Sequence, residues 1–415
     1  MRNFLSIDLL TNQFRQRVNI IEVIMKRNLL RLAVIAIAAL SSLAVQGQLF
    51  RPMGLGDGLG KHIHSYYMPR MHVEGDCLFV CTNQGLYCKD LSDDASQWQL
   101  AGFEGIPLQD YVRNGNDMLA LRHNVDSCFL LLSHDGGQTY QDITSTELVV
   151  NNPRVKNVLI RLVQHPEDPN TLLVLSKIWG MYRSTDFGRT WSKECGDTLA
   201  LGTSIGFHPA RPDIIYNSGS DDIEEPCINI TYDGGQTWNI IFPFWNGDNA
   251  VFHIAFNPSN PDRWIIGGLG IVGTSDDNGH TWELQELDRQ RTAAWNLTAF
   301  DNENSNIVYM AGSLNSEVKV MCSTDGGRSW LAPQTEPDQL YVNDMQQYGD
   351  KLLIYTGADV YEVSKSELLA TSSIPAQHIS SSADESSEVY DLQGRRTTHT
   401  GSGIYIKNGR KVVVQ

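Results

Sequence analysis

The sequence predicts an all-β fold: a single seven-bladed β-propeller with four-stranded antiparallel blades, followed by a short β tail. Three observations carry this reading. The octad TYDGGQTW at 231–238 has four close copies, SHDGGQTY (133–140), STDFGRTW (184–191), SDDNGHTW (275–282) and STDGGRSW (323–330). Their aspartates, Asp135, Asp186, Asp233, Asp277 and Asp325, follow one another at 51, 47, 44 and 48 residues, a period typical of propeller blades and other stacked arrays. No stretch carries convincing helical periodicity.

The octad has the chemistry of a turn. Its Asp carboxylate is suited to accept hydrogen bonds from main-chain N–H groups a residue or two ahead, and the glycines Gly137, Gly188, Gly235, Gly279 and Gly327 can take the positive φ that closes the loop. The Ser/Thr hydroxyls bond freed backbone groups. The closing aromatics, Trp191, Trp238, Trp282 and Trp330 with Tyr140 in the first copy, fold back over the hairpin. Aspartates so occupied make poor acids or bases, so all five are assigned a structural role.

A second cue precedes the octads: QHPEDPNTLLVL (164–175), FHPARPDIIYNSG (207–219), FNPSNPDRWIIGG (256–268) and FDNENSNIVYMAG (300–312). An inner strand thus runs through a turn, usually with Pro, into a second strand. A third ends in the octad and a fourth starts at its aromatic, which makes one blade. GDCLFVCTNQGLYCKDLSDDASQW (75–98) has the same layout with a degraded octad, and GDKLLIYTGADVYEV (349–363) resembles a blade that has lost it. Together these give seven blades over 48–366, and residues 48–55 are placed to supply the missing outer strand of the last blade and close the ring, leaving no sheet edge unpaired.

The pattern S/T-x-D-x-G-x-T/S-W/Y resembles the Asp-box, or BNR, repeat of sialidases, sortilin-type receptors, xyloglucanases and photosystem II assembly-factor propellers, over roughly residues 130–335. The resemblance implies the fold; enzymes and binding proteins share it. A sialidase would add three arginines gripping a carboxylate, a tyrosine–glutamate nucleophile pair and an aspartate acid/base. The early Arg-Ile-Pro element of that family is missing: Tyr66-Tyr67-Met68-Pro69-Arg70 has its arginine after the proline. A xyloglucanase places its catalytic aspartates between two propellers, and this chain predicts one.

Residues 1–47 read as a secretory signal, with Met25-Lys26-Arg27 opening a basic segment, an apolar run Leu32–Val45 and small residues to Gly47. Met25 is the expected start, with residues 1–24 an over-extended gene start or a long basic region. The run of about 14 residues is short of the roughly 20 of a membrane span, so the chain is expected not to span a membrane. The whole chain has 32 basic and 48 acidic side chains, and residues 1–47 hold 6 and 2, leaving 26 − 46 = −20. That charge argues against nucleic acid, whose binding needs lysines and arginines on phosphates. Of 7 cysteines, Cys81 and Cys88 are placed to face each other across a hairpin at Asn83-Gln84-Gly85; small apolar filler between strands is the other reading.

Residues 367–387 are a Ser-rich linker. Residues 388–415 resemble, in VYDLQGRR, GIYIKNG and KVVVQ, the C-terminal sorting tails of type IX secretion cargo in Bacteroidetes-like bacteria, which implies the type IX export machinery as a partner. A hairpin docking on the propeller is the alternative. The expected destination is secretion or the cell surface, or the periplasm.

A ligand site is expected on the face opposite the octads, where the remaining connections converge. They carry Arg113, Arg122, His123, Arg154 and Lys156, then Trp179, Trp245, His253, Arg289, Arg291 and Trp295, with an acidic loop at Asp221, Asp222, Glu224 and Glu225. Arg154, Trp179, Trp245, His253, Arg291 and Trp295 are the chosen ligand residues, because aromatics with interleaved arginines suit a sugar or an anionic group; the alternative is an ordinary rim. Arg161, on an inner strand, also suits a channel ion pair. No cofactor and no metal site is expected, the acidic loop reading as solvated. Gly268–Gly273 and Gly202–Gly206 fit dinucleotide-loop and nucleophile-elbow patterns, but both lie among strands with no helix to follow. The reading is a non-catalytic propeller binding a glycan or a protein, with a divergent sialidase-type hydrolase and an assembly factor as alternatives.

Overall fold

The computed structural model describes residues 49–371 except 57–58, 60–67, 125–126, 146–147, 149–158, 177–179, 196–200, 222–224, 244–249, 289–292, 315–316, 332–333 and 337–340, together with 389–390, 396–397, 403–407 and 410–414. The chain divides into two compact units, residues 1–374 and 375–415. The first is the propeller: seven four-stranded antiparallel sheets. Blade 1 is Met71–Glu74, Cys77–Thr82, Gly85–Asp90 and Gln99–Gly102; blade 2 is Leu108–Asn114, Asp117–Asn124, Ser127–Ser133 and Gln141–Asp142. Blade 3 is Leu159–Gln164, Leu172–Ser176, Gly180–Ser184 and Ser192–Cys195; blade 4 is Leu201–His208, Arg211–Ser220, Pro226–Thr231 and Asn239–Ile241. Blade 5 is His253–Phe256, Trp264–Gly267, Ile271–Ser275 and Glu283–Glu286; blade 6 is Ala293–Phe300, Val308–Leu314, Glu317–Ser323 and Gln334–Glu336. Blade 7 is Val342–Tyr348, Lys351–Thr356 and Val360–Ser364, completed by Phe50–Pro52. Phe50 pairs with Val363 and Pro52 with Tyr361, so the start of the described chain closes the ring.

The Asp-box turn is built identically in all five copies. In blade 2, Ser133 Oγ accepts the Gly137 N–H at 2.7 Å and donates to Asp135 Oδ1 at 2.8 Å. Asp135 Oδ1 also takes the Thr139 N–H at 2.8 Å, and Oδ2 takes the Thr139 hydroxyl at 2.6 Å. The main-chain donor is therefore four residues ahead, not one or two. The reason is that two successive residues after the aspartate turn left-handed, Gly136 at φ 71° and Gly137 at φ 90°, which curls the chain back over the carboxylate. Phe187 and Asn278 hold the first of these positions at φ 56° and 64° without being glycine. The second position is always glycine for a further reason: a Cβ at Gly137 would lie 2.7 Å from the Phe103 ring, and one at Gly327 2.7 Å from Ile265.

Each box is tied to the first turn of its own blade. Gly136, Phe187, Gly234, Asn278 and Gly326 donate their N–H to Asn116, Asn170, Asp213, Asp262 and Asn306. The box turns and the first-to-second-strand turns thus share one face. Arginines carry the tie onward. Arg183 of blade 3 donates to Gly234 O at 3.2 Å, and Arg263 of blade 5 to Gly326 O.

Apolar side chains fill the space between blades. One such cluster joins Leu119 and Leu130 of blade 2 to Leu172, Val174, Phe187 and Trp191 of blade 3. The expected Cys81–Cys88 juxtaposition does not occur: Thr82 pairs with Gly85, which puts Leu86 opposite Cys81 and Phe79 opposite Cys88. Cys77, Cys81, Cys88 and Cys227 are free thiols. A short helix, α1 (Lys365–Thr371), follows blade 7. It is too brief to show periodicity; Ser364 Oγ caps it by accepting the Glu367 N–H at 3.2 Å.

In the second unit, Val389–Tyr390, Arg396–Thr397, Gly403–Lys407 and Arg410–Val414 form one antiparallel sheet, with the first strand lying between the second and third. No helix among the described residues is long and apolar enough to cross a membrane.

Candidate functional site

First strands of neighbouring blades touch one another and surround the axis. Most are interrupted by a bulge, as at Leu108/Asp110 in blade 2 and Val342/Asp344 in blade 7. A bulge re-aims a side chain, and here it turns a carboxylate onto the next blade. Asp110 Oδ2 accepts the Leu162 N–H of blade 3 at 3.1 Å, while Oδ1 accepts the Tyr111 N–H at 2.9 Å. Asp344 repeats this on blade 1, taking Met71 N–H at 3.0 Å and Met345 N–H at 2.9 Å. Each aspartate also has a cationic neighbour. Arg70 reaches Asp344 Oδ1 at 3.1 Å and Asn343 O at 2.7 Å; His72 Nε2 meets Asp110 Oδ1 at 2.9 Å. Arg161 holds the matching bulge position in blade 3.

A cavity of about 520 Å³ opens beside these groups, against the first strands of blades 1 to 3. His72, Glu74, Tyr111, Arg113 and Gln164 line it, with the half-buried Val163 at its apolar edge. Its residues run toward the first turns, so it lies at the Asp-box end of the channel. Tyr111 donates its hydroxyl to Glu74 Oε1, and Arg113 Nη1 lies 3.2 Å from Glu74 Oε2. The Arg113 guanidinium stacks 4.6 Å over Phe79. Burial pushes the Tyr111 hydroxyl well above its ordinary value, and the Glu74 charge and hydrogen bond add to this. Burial works against a charged His72, yet the Asp110 hydrogen bond and charge, helped by Asp344 and Glu74, raise it above 6.5.

The Asp-box carboxylates are held down by their donors. Asp135 lies at about 2 through the hydroxyl and N–H of Thr139 and the Ser133 hydroxyl, and Asp233 at about 2 through Thr237 and Thr231. Burial opposes the same lowering at Asp186, Asp277 and Asp325, and the Ser/Thr donors prevail.

Of the six residues chosen from sequence, Arg154, Trp179, Trp245 and Arg291 lie outside the described residues, as do Lys156, Arg289, Asp222 and Glu224. His253 is on the first strand of blade 5, where its Nδ1 meets Thr298 Oγ1 at 3.2 Å. Burial and the Arg70 charge bring it down to about 4. Trp295 is not on a rim. It is 4 % exposed and packs with Ile265, Val272 and Met310 between blades 5 and 6, because the bulge after Ala294 turns it inward. Arg113 also changes place: it belongs to the first strand of blade 2, at the Asp-box end. Arg122 lies at the opposite end, 5.6 Å from the Phe129 ring, and His123 is buried beside it. Asp221 and Glu225 close their loop on each other, Glu225 donating its N–H to Asp221 Oδ1 at 2.8 Å. Among the described residues no three His, Cys, Asp or Glu side chains gather as metal ligands.

The sequence reading missed His72, Glu74, Asp110, Tyr111 and Asp344. One signal was available: Gln109-Asp110-Tyr111 and Asn343-Asp344-Met345 put an Asp at the same place in two first strands.

The BNR/Asp-box repeat family model matches residues 182–193, the box of blade 3. The chain carries a BNR/Asp-box repeat. A search of curated proteins finds no match. Among solved structures, the GH74 xyloglucanase from Xanthomonas campestris is similar at TM-score 0.55 and 16% identity, over 75% of this chain and 53% of the xyloglucanase. The chain thus spans about half the length of that structure. YCF48 from Cyanidioschyzon merolae is similar at TM-score 0.53 and 11% identity, over 77% of this chain and 99% of that one. A chain of the Mitotic Checkpoint Complex gives TM-score 0.55 and 11% identity, over 76% and 92%. At such identities the likeness is one of fold.

Proposed function

We propose that this chain is an exported, non-catalytic propeller that binds a glycan. One observation carries the reading: the carboxylates of the five boxes and of Asp110 and Asp344 are occupied by main-chain N–H groups, hydroxyls or a cation. A general acid must hold a proton near working pH and a general base must reach substrate. Carboxylates with such partners do neither. Tyr111 and Glu74 do form a tyrosine–glutamate pair with Arg113 beside them, as a sialidase would require. However, Tyr111 is 2 % exposed, and Arg70 is turned to Asp344 rather than to this pair. The Tyr111 hydroxyl, donated to Glu74 and pushed well above its ordinary value by burial and the Glu74 charge, stays protonated and makes a poor nucleophile.

Arg154, Trp179, Trp245 and Arg291 remain the candidates for a glycan on the face opposite the boxes, and the tail at 388–415 for export by a type IX route. A protein ligand is the second reading, supported by the likeness to a chain within the Mitotic Checkpoint Complex. Incubating the purified protein with fluorogenic sialosides and with xyloglucan, alongside a glycan array, tests the proposal. Binding without turnover is the expected result; turnover abolished by Glu74→Gln would overturn it.

A further inference from the structure

Resting on that non-catalytic reading, we infer that the cavity among blades 1 to 3 is a second carbohydrate site, at the Asp-box end of the channel, which takes a neutral sugar unit and rejects an acidic one. Its volume of about 520 Å³ falls in the roughly 300–1,000 Å³ range of small-ligand sites.

The wall selects by charge pairing. Glu74 faces Arg113 at 3.2 Å on the wall itself, and His72, also on the wall, is tied from behind at 2.9 Å to the buried Asp110, so each basic group that meets the ligand already has an acidic partner. A carboxylate entering here would have to displace Glu74 from Arg113 and then lie beside it; an ammonium group seeking Glu74 would meet Arg113 in the same way. A sugar hydroxyl has no such conflict, since it both donates and accepts.

The couples keep capacity for that exchange. The side chains of His72, Glu74 and Arg113 are 36%, 34% and 28% exposed. His72 uses Nε2 on Asp110, which leaves Nδ1 for a ligand. The Glu74 oxygens, each with one protein partner, retain a lone pair apiece for hydroxyl donors. The half-buried Val163 supplies an apolar edge for the C–H face of a sugar ring. At the mouth stands Gly115, where a Cβ would meet nothing within 4 Å, so no side chain crowds the entrance there.

Calorimetry on the full chain without residues 1–47, with cellotetraose, mannotetraose and maltotetraose as probes and tetragalacturonic acid as the anionic counter-probe, tests this. At least one neutral tetrasaccharide should bind, and the uronic acid should bind at least about tenfold more weakly, a difference of about 1.4 kcal/mol. Arg113→Ala and Glu74→Gln should each weaken the neutral sugar by about tenfold or more, while Asp94→Ala, outside the cavity lining in the third-to-fourth-strand turn of blade 1, where it meets Lys351 at 3.3 Å, should leave it unchanged. Glu74→Gln keeps an acceptor for Tyr111 and serves if Arg113→Ala loses its fold by melting. Tighter binding of tetragalacturonic acid, no binding of any neutral probe, or unchanged affinity in both cavity variants would overturn the inference. Affinity lost in Trp245→Ala but kept in the cavity variants would overturn it too, leaving the non-catalytic reading intact. Hydrolysis of a probe during titration would instead overturn the reading itself.

Discussion

Asp344 Oδ2 accepts the main-chain N–H of Met71 at 3.0 Å across 273 residues of sequence, and so joins the last blade to the first from inside the channel. The same carboxylate meets the buried Arg70 guanidinium at 3.1 Å. Removing one partner of a buried pair leaves the other charged and unsolvated, which costs about 3–5 kcal/mol. Asp344→Ala should therefore lower unfolding stability by about that amount, and Asp344→Asn, which keeps one acceptor, by less. Equilibrium urea denaturation checks it; equal loss in both variants would mean that charge pairing is not what holds the joint.

The box aspartates set an acid limit. Asp135 and Asp233 fall from an ordinary 3.8 to about 2 in the folded chain. A depressed folded value gives stability that is complete above the unfolded value and lost as pH falls through the folded one. The window is therefore about pH 4 down to 2. In Asp135→Asn the denaturation midpoint should fall less steeply across that window than in the parent chain. An unchanged slope would show that the Thr139 and Ser133 bonds do not favour the charged form.

The two channel histidines act in opposite directions. His253, at about 4 when folded, is unprotonated where the unfolded chain, near 6.5, binds a proton. Stability is thus lost as pH drops from about 6.5 to 4, at most on the order of 3 kcal/mol. His72 is raised, so its contribution is complete below about 6.5 and is lost as pH rises through the folded value. His253→Gln should flatten the acid side of a stability–pH curve, and His72→Gln the neutral side. Proton NMR titration of the ring signals gives the same test directly; His72 titrating below His253 would reverse the argument.

The boxes were legible because everything they need lies within seven residues of chain, from Ser133 to Thr139 in blade 2. Local chemistry of that kind repeats visibly, and so did the blade count and the closing strand Phe50–Pro52. The channel was not legible. His72 and Asp110 are 38 residues apart, Arg70 and Asp344 274, and a bulge decides which way each aspartate points. Trp295 shows the same limit: alternation cannot say whether a tryptophan faces a rim or the next blade when a bulge precedes it.

Ring closure offers two contacts whose weights differ sharply. Arg51 forms a two-pronged bond with Glu367 at 2.9 Å to each oxygen, and the two side chains are 49% and 46% exposed. Exposed ion pairs contribute about 0–1 kcal/mol because water and salt screen them. Phe50, next to it, is 5 % exposed and packs in the cluster with Ile354, Val363 and Leu368. Truncating a buried phenylalanine costs about 3–5 kcal/mol. Phe50→Ala should therefore lower the thermal midpoint far more than Arg51→Ala, and added salt should erase what little Arg51→Ala does. If the arginine proved the larger loss, the closing strand would be held by charge, and apolar packing would not be what seals the ring.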